Sequence, residues 1–136
     1  MHGISVKLPD RTTTAVIGPR VRENDALHLI ARFWDVDSGS VKIGGKDVRD
    51  YTLESLMDQI SMVFQNVYLF VDTIENNIKF GKPDATHAEV VEAAKKACCD
   101  DFIEALPDGY RTVIGEGGAS LSGGEKQRIS IARAML

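Results

Sequence analysis

Thr14-Ala15-Val16-Ile17 is a short apolar run that drives straight into Gly18-Pro19, and Leu27 to Trp34 behind it repeats apolar residues at helical spacing. A strand, a turn and a helix in that order commit a chain to a layered α/β architecture, because the strand is covered by the helix that crosses back over it. The rest of the sequence keeps the alternation. Val41 to Val48 reads as a hairpin about Gly44-Gly45, where a two-residue turn takes positive φ. Ile60 to Gln65, ISMVFQ, is the next predicted strand. From Thr73 the pattern turns helical through TIENNIKF and THAEVVEAAKKACCDDFIEAL, with Thr86 and Glu89 spaced as a capping box. LPDGYRTVIGEGGAS then reads as a loop, with Pro107-Asp108-Gly109 as turn chemistry and further glycines at 115, 117 and 118.

Composition excludes several classes. With 136 residues, 43% hydrophobic and 26% charged, the chain can bury a core and does not resemble a disordered polymer. A net charge of −4 with scattered basic residues gives no nucleic-acid face. The apolar stretches are too short to span a bilayer and no signal-peptide pattern opens the chain, so a cytosolic segment is expected. Cys98 and Cys99, adjacent in a helical stretch, lack both disulfide and metal-ligand spacing and read as packing residues.

The sharpest chemistry lies in LSGGEKQR, Leu121 to Arg128. Ser122 and Glu125 form a second capping box, and Gly123-Gly124 between them leave the first N–H groups of the helix open. Unpaired donors and the positive end of the helix dipole converge there, so a phosphate fits against Ser122, Gly123 and Gly124.

This octapeptide resembles the signature motif of ATP-binding cassette (ABC) transporter nucleotide-binding domains. VFQNVYLFVDTIENNIKFG resembles the Q-loop segment of that family, DGYRTVIGEGGASLSGGEKQRISIARA resembles its exporter subgroup, and FWDVDSGSVKIGGKDVRDYTLESL resembles its small β-subdomain. The resemblance implies a P-loop NTPase fold, incomplete here: part of the RecA-like core, the β-subdomain and the helical subdomain. It implies a division into 1–83 (core strand, phosphate loop, hairpin and Q-loop), 84–120 (helical subdomain) and 121–136 (signature helix). It implies ATP and Mg2+ as cofactors, with Gly18, Pro19, Gln65, Ser122, Gly123 and Gly124 toward nucleotide and Gln65 toward the metal. The partners it implies are a second cassette, head to tail, and the transmembrane domain of an exporter, at the cytoplasmic face of a membrane. The acidic strand with its glutamate and the later histidine would lie beyond Leu136, and the adenine-stacking aromatic would precede Met1. No catalytic residue is therefore assigned, and the chain by itself is expected to be inactive. Two other readings stand beside this one. The first is a non-catalytic cassette that supplies its signature helix in trans. The second is a chromosome-structure ATPase head, against which no heptad run appears.

The stretch after Gly18-Pro19 departs from the family. Arg20-Val21-Arg22-Glu23-Asn24-Asp25 stands where a glycine-rich loop with a lysine and a hydroxyl would wrap the phosphates and ligate magnesium. Val21 and Glu23 occupy glycine-requiring places, Asn24 replaces the cation and Asp25 adds an anion. The genetic code accounts for the difference. Codons CGG GTC CGG GAA AAC GAC followed by GC, read one base later, become GGG TCC GGG AAA ACG ACG, or Gly-Ser-Gly-Lys-Thr-Thr. The second base of each codon from Arg20 to Asp25 is fixed by its residue, and each supplies the first base the shifted codon needs. Gly18 to Ile30 is also one residue short of the family pattern. A compensated frameshift, either a lesion in the gene or an error in its reading, is the expected cause.

Remaining residues default to structure. Trp34 is expected to pack on the sheet, Tyr68 and Phe70 to pack or to face a membrane domain, and His2, His28 and His87 to have no catalytic role.

Overall fold

The hairpin and both capping boxes form where local chemistry puts them. The computed structural model describes residues 4–17, 23–115 and 120–136, in two compact units, Met1–Ile60 and Ser61–Leu136.

In the first unit, α1 spans Glu23–Ile30. It lies earlier than the expected Leu27 to Trp34, because the chain leaves the helix at Arg32, which takes a left-handed φ of 55°. Phe33 N–H reaches back to His28 O (2.8 Å) and Arg32 N–H to Leu29 O (3.2 Å), which closes the last carbonyls and stops the helix. Trp34, beyond that stop, is 68% exposed and does not pack on a sheet. Strands β1 (Lys42–Ile43) and β2 (Lys46–Asp47) pair antiparallel, Ile43 opposite Lys46. The turn between them places Gly44 at φ 58° and Gly45 at φ 83°, the two positive angles a type I′ turn needs. Tyr51 donates its hydroxyl to Ile43 O at 3.0 Å, and the Arg32 guanidinium reaches Val48 O and Tyr51 O. A short helix, α2 (Leu53–Met57), capped by Thr52, buries Leu56 completely.

Two expected strands are not strands. Neither Thr14 to Ile17 nor Ile60 to Gln65 enters a ladder among the described residues. A strand exists through its neighbour's backbone, and no described segment pairs with either run. Their apolar side chains accordingly stay open, Ile17 at 93% and Phe64 at 51% exposure.

The second unit is a helical cluster. β3 (Asp72–Thr73) leads into α3 (Ile74–Lys79), capped by Thr73; α4 (His87–Lys96) follows, then α5 (Asp100–Glu104) and α6 (Gly123–Met135). The expected continuous helix across the cysteines is two, because Cys98 sits at φ 55° and the N–H groups of Cys98 and Cys99 turn back to Lys95 O and Ala94 O. Only Cys99 packs; Cys98 is exposed. Burial pushes the Cys99 thiol up to about 11, which leaves it an inert core residue. Val113–Ile114, read as loop, is a strand, β4, paired antiparallel with β3. Gly115 beside it has φ 115°, and a Cβ there would meet Val71 Cγ2 at 2.7 Å, so only glycine fits. Ile74, Ile78, Val90, Ile103 and Ile129, each at 0% exposure, join α3, α4, α5 and α6 in one core.

Candidate functional site: the N-terminus of the signature helix

The first turn of α6 is built by four residues. Ser122 Oγ accepts from Glu125 N–H at 3.3 Å, while the Glu125 carboxylate accepts from Ser122 N–H at 2.7 Å, so the capping box is complete. The Ser122 hydroxyl, which donates to that carboxylate at 2.7 Å, and then the Ser122 N–H hold the Glu125 carboxyl below its ordinary range. The box satisfies the N–H groups of Ser122 and Glu125 and leaves those of Gly123 and Gly124, which a helix cannot pair internally. Ser122, Gly123 and Gly124 are all exposed. A Cβ at Gly123 would meet nothing within 4 Å, and one at Gly124 only the Arg128 guanidinium at 4.0 Å. The glycines therefore relieve no internal crowding; what they keep clear is the approach to two free donors at the positive end of a thirteen-residue helix. This is the opening expected from Ser122, Gly123 and Gly124.

Gln65 is exposed and belongs to the same compact unit as α6. Its neighbour is tied to that helix: Gln127 Nε2 donates to Phe64 O at 3.4 Å. The side-chain amide of Gln65 offers one oxygen to a metal, and no group of three or more His, Cys, Asp or Glu among the described residues could hold one. Gly18 and Pro19, the other expected nucleotide contacts, lie outside the described residues, as do Arg20 to Arg22.

Sequence reasoning missed a second cluster, behind Gln65. Arg133, near the end of α6, donates from Nε to Asn77 O (2.7 Å), from Nη1 to Tyr68 O (3.1 Å) and from Nη2 to Asn77 Oδ1 (3.1 Å). Its guanidinium lies 5.6 Å from the ring centroids of both Phe70 and Phe80, which stack on each other. Asn77, 1% exposed, accepts from Phe70 N–H at 2.8 Å and donates to Phe70 O at 3.0 Å. The available signal was a polar Asn77 among the apolar positions of α3; an arginine in a last helical turn reads equally well as a response to the dipole. Tyr68 is 72% and Phe80 59% exposed, and Tyr68 meets Phe70 edge to face.

The family model described as ABC transporter matches residues 25–136. Over 134 residues, covering 98% of this chain and 23% of the relative, the sequence is 51% identical to the "ATP-dependent lipid A-core flippase" of Desulfotalea psychrophila (strain LSv54 / DSM 12343). It is 46% identical over 137 residues to "ABC transporter B family member 24, mitochondrial" of Arabidopsis thaliana, covering all of this chain and 20% of that protein. It is also 46% identical over 137 residues to "Heavy metal tolerance factor 1" of Caenorhabditis elegans, of which it covers 17%. The chain thus spans about a quarter or less of the curated relatives it matches. With its signature octapeptide folded as a capped, open helix start and its Q-loop segment beside that helix, the chain belongs to the ABC transporter family, as part of an exporter-type nucleotide-binding domain with a P-loop NTPase fold.

Proposed function

We propose that this chain serves a membrane exporter as part of an ATP-binding cassette at the cytoplasmic face, that it does not hydrolyse ATP alone, and that its working part is the start of α6. The observation that carries the reading is the exposed pair Gly123-Gly124 behind a complete Ser122–Glu125 box. A partner cassette, meeting this one head to tail, holds ATP and magnesium on its own phosphate loop. In that arrangement Ser122 and the two glycine N–H groups would hold the phosphate end of the partner's ATP, where preorganised donors stabilise negative charge. Bound ATP and Mg2+ supply the transferable phosphoryl group and its counter-charge. From this chain come the donors at the start of α6 and the Gln65 amide. Relatives named as a lipid A-core flippase and a mitochondrial ABC transporter support the transport setting.

The loss of independent activity rests on residues 20–25, where Asn24 and Asp25 replace the cation and hydroxyl of a phosphate loop. The compensated frameshift accounts for that stretch. The family model takes up the chain only at Asp25, and relatives align over 137 positions against a chain of 136, which supports a missing residue.

The deciding experiment mixes the chain with an intact cassette that binds but does not hydrolyse ATP, and sizes the mixture with and without nucleotide. A nucleotide-dependent heterodimer is expected. Folded chain that never associates, or associates equally without ATP, overturns the reading.

A further inference from the structure

The polar contacts of Arg133 all go to one place. Its three nitrogens bond Asn77 O, Tyr68 O and Asn77 Oδ1, while Asn77 in turn holds both the N–H and the carbonyl of Phe70. The backbone three to five residues beyond Gln65 is thereby fastened to α3 and α6 together. On the other side of Gln65, Phe64 O accepts from Gln127 of the same helix. α6 already has its packing from Ile129 and Ala132, both at 0% exposure. Among the described residues Arg133 has no carboxylate partner, and removal from solvent lowers its pKa. A half-buried charge without a counter-ion is an expensive way to stabilise a helix; what a planar five-donor fork supplies is geometry.

We propose that Arg133 and Gln127 are positioning residues that hold the two flanks of Gln65 to α6, so that the phosphate-facing start of that helix and Gln65 move as one body. The role of Gln65 toward nucleotide rests on the function proposed above; the tether itself does not. Arg133 carries most of it, since the Gln127 bond is long and exposed whereas the guanidinium makes three bonds and lies against two rings. Lysine in its place keeps the charge and loses the planar fork whose separate nitrogens reach Asn77 O, Tyr68 O and Asn77 Oδ1.

The test uses the full chain with Cys98→Gly and Gln65→Cys, leaving buried, unreactive Cys99 as the other thiol, and a nitroxide on residue 65. The label is expected to be restrained in this parent and freer with Arg133→Lys. Amide exchange at Phe70, whose N–H is held by the Asn77 Oδ1 that Arg133 braces, is expected to rise on the order of ten-fold, as loss of a charge-assisted hydrogen bond implies, with exchange in α4 unchanged. Gln127→Leu, at an exposed contact, is expected to free the label by a smaller step and covers the case in which the arginine variant does not fold. Equal label mobility in parent and variants overturns the proposal, and so does an exchange increase spread over α3, α4 and α6, which marks a merely structural role. Adding the ATP-loaded partner cassette separates the two ideas. That arm uses the chain with Gln65 intact: if it never associates, the trans role fails, and the label and exchange results decide the tether whether it associates or not.

Discussion

At the scale of single residues, Gly123 separates binding from folding. Its Cβ position opens onto empty space, and glycine inside a helix costs roughly 0.5–1 kcal/mol relative to alanine, so a larger residue does not harm the fold. Gly123→Glu is therefore expected to leave the thermal midpoint unchanged or raise it, while abolishing nucleotide-dependent association with a partner cassette, because a carboxylate then stands where a phosphate must approach. Sizing and a thermal melt on one preparation check both halves. Glu89 shows the other use of a capping carboxylate. Lys82, first, and then the N–H and hydroxyl of Thr86 hold its pKa down at about 2 from an ordinary 4.5. Because the folded value is depressed, its contribution is fully present above about pH 4.5 and is lost as pH falls toward 2. Wild type is expected to be more stable than Glu89→Gln at neutral pH and to converge with it by about pH 2, as followed by helical circular dichroism. Glu125 makes the same box without a lysine, and the cation that acts on its carboxyl is Arg128.

At the scale of elements, local chemistry was legible and non-local pairing was not. Ser122 with Glu125, Thr86 with Glu89 and Gly44-Gly45 each specify their structure within a few residues, and all three formed as read. Helix ends without glycine were missed, because Arg32 and Cys98 take the left-handed conformation that sequence reading reserves for glycine or asparagine. β4 was missed because two residues carry no periodicity and its partner lies some forty positions away. The same lesson covers the site. The open turn of α6 was readable in five residues, whereas the Arg133–Asn77 cluster joins three segments that only the fold brings together. Cys98 gives this scale its prediction. A side chain at positive φ costs roughly 1–2 kcal/mol, partly offset by the chain entropy glycine would add, so Cys98→Gly is expected to stabilise the second unit by up to about 1 kcal/mol and Cys98→Val to destabilise it. Urea midpoints at equal m-value check the sign.

At the scale of the whole molecule, the two runs expected as strands carry apolar side chains and no ladder among the described residues, while α3, α4 and α6 share one buried core. The described core is thus built around the signature helix, and the sequence from Arg20 to Asp25 is the anomaly to settle. Two facts bear on it: the second bases fixed from Arg20 to Asp25 supply every first base that Gly-Ser-Gly-Lys-Thr-Thr needs one base later, and alignments with two relatives run to 137 positions against a chain of 136. An evolved alternative loop has no reason to satisfy the first. The shifted reading requires an Arg20 codon ending in G and a Val21 codon ending in C, so sequencing the gene across Gly18 to Ile30 decides it; either codon ending otherwise overturns the frameshift. Its physical counterpart follows from the same residues. As written, the chain is expected to release no phosphate from MgATP above background, since Asp25 repels the anion and no lysine offsets the charge. Turnover by this chain, with contaminating ATPases excluded, would show that the stretch from Arg20 to Asp25 binds phosphate by some other means and that the lost lysine is dispensable.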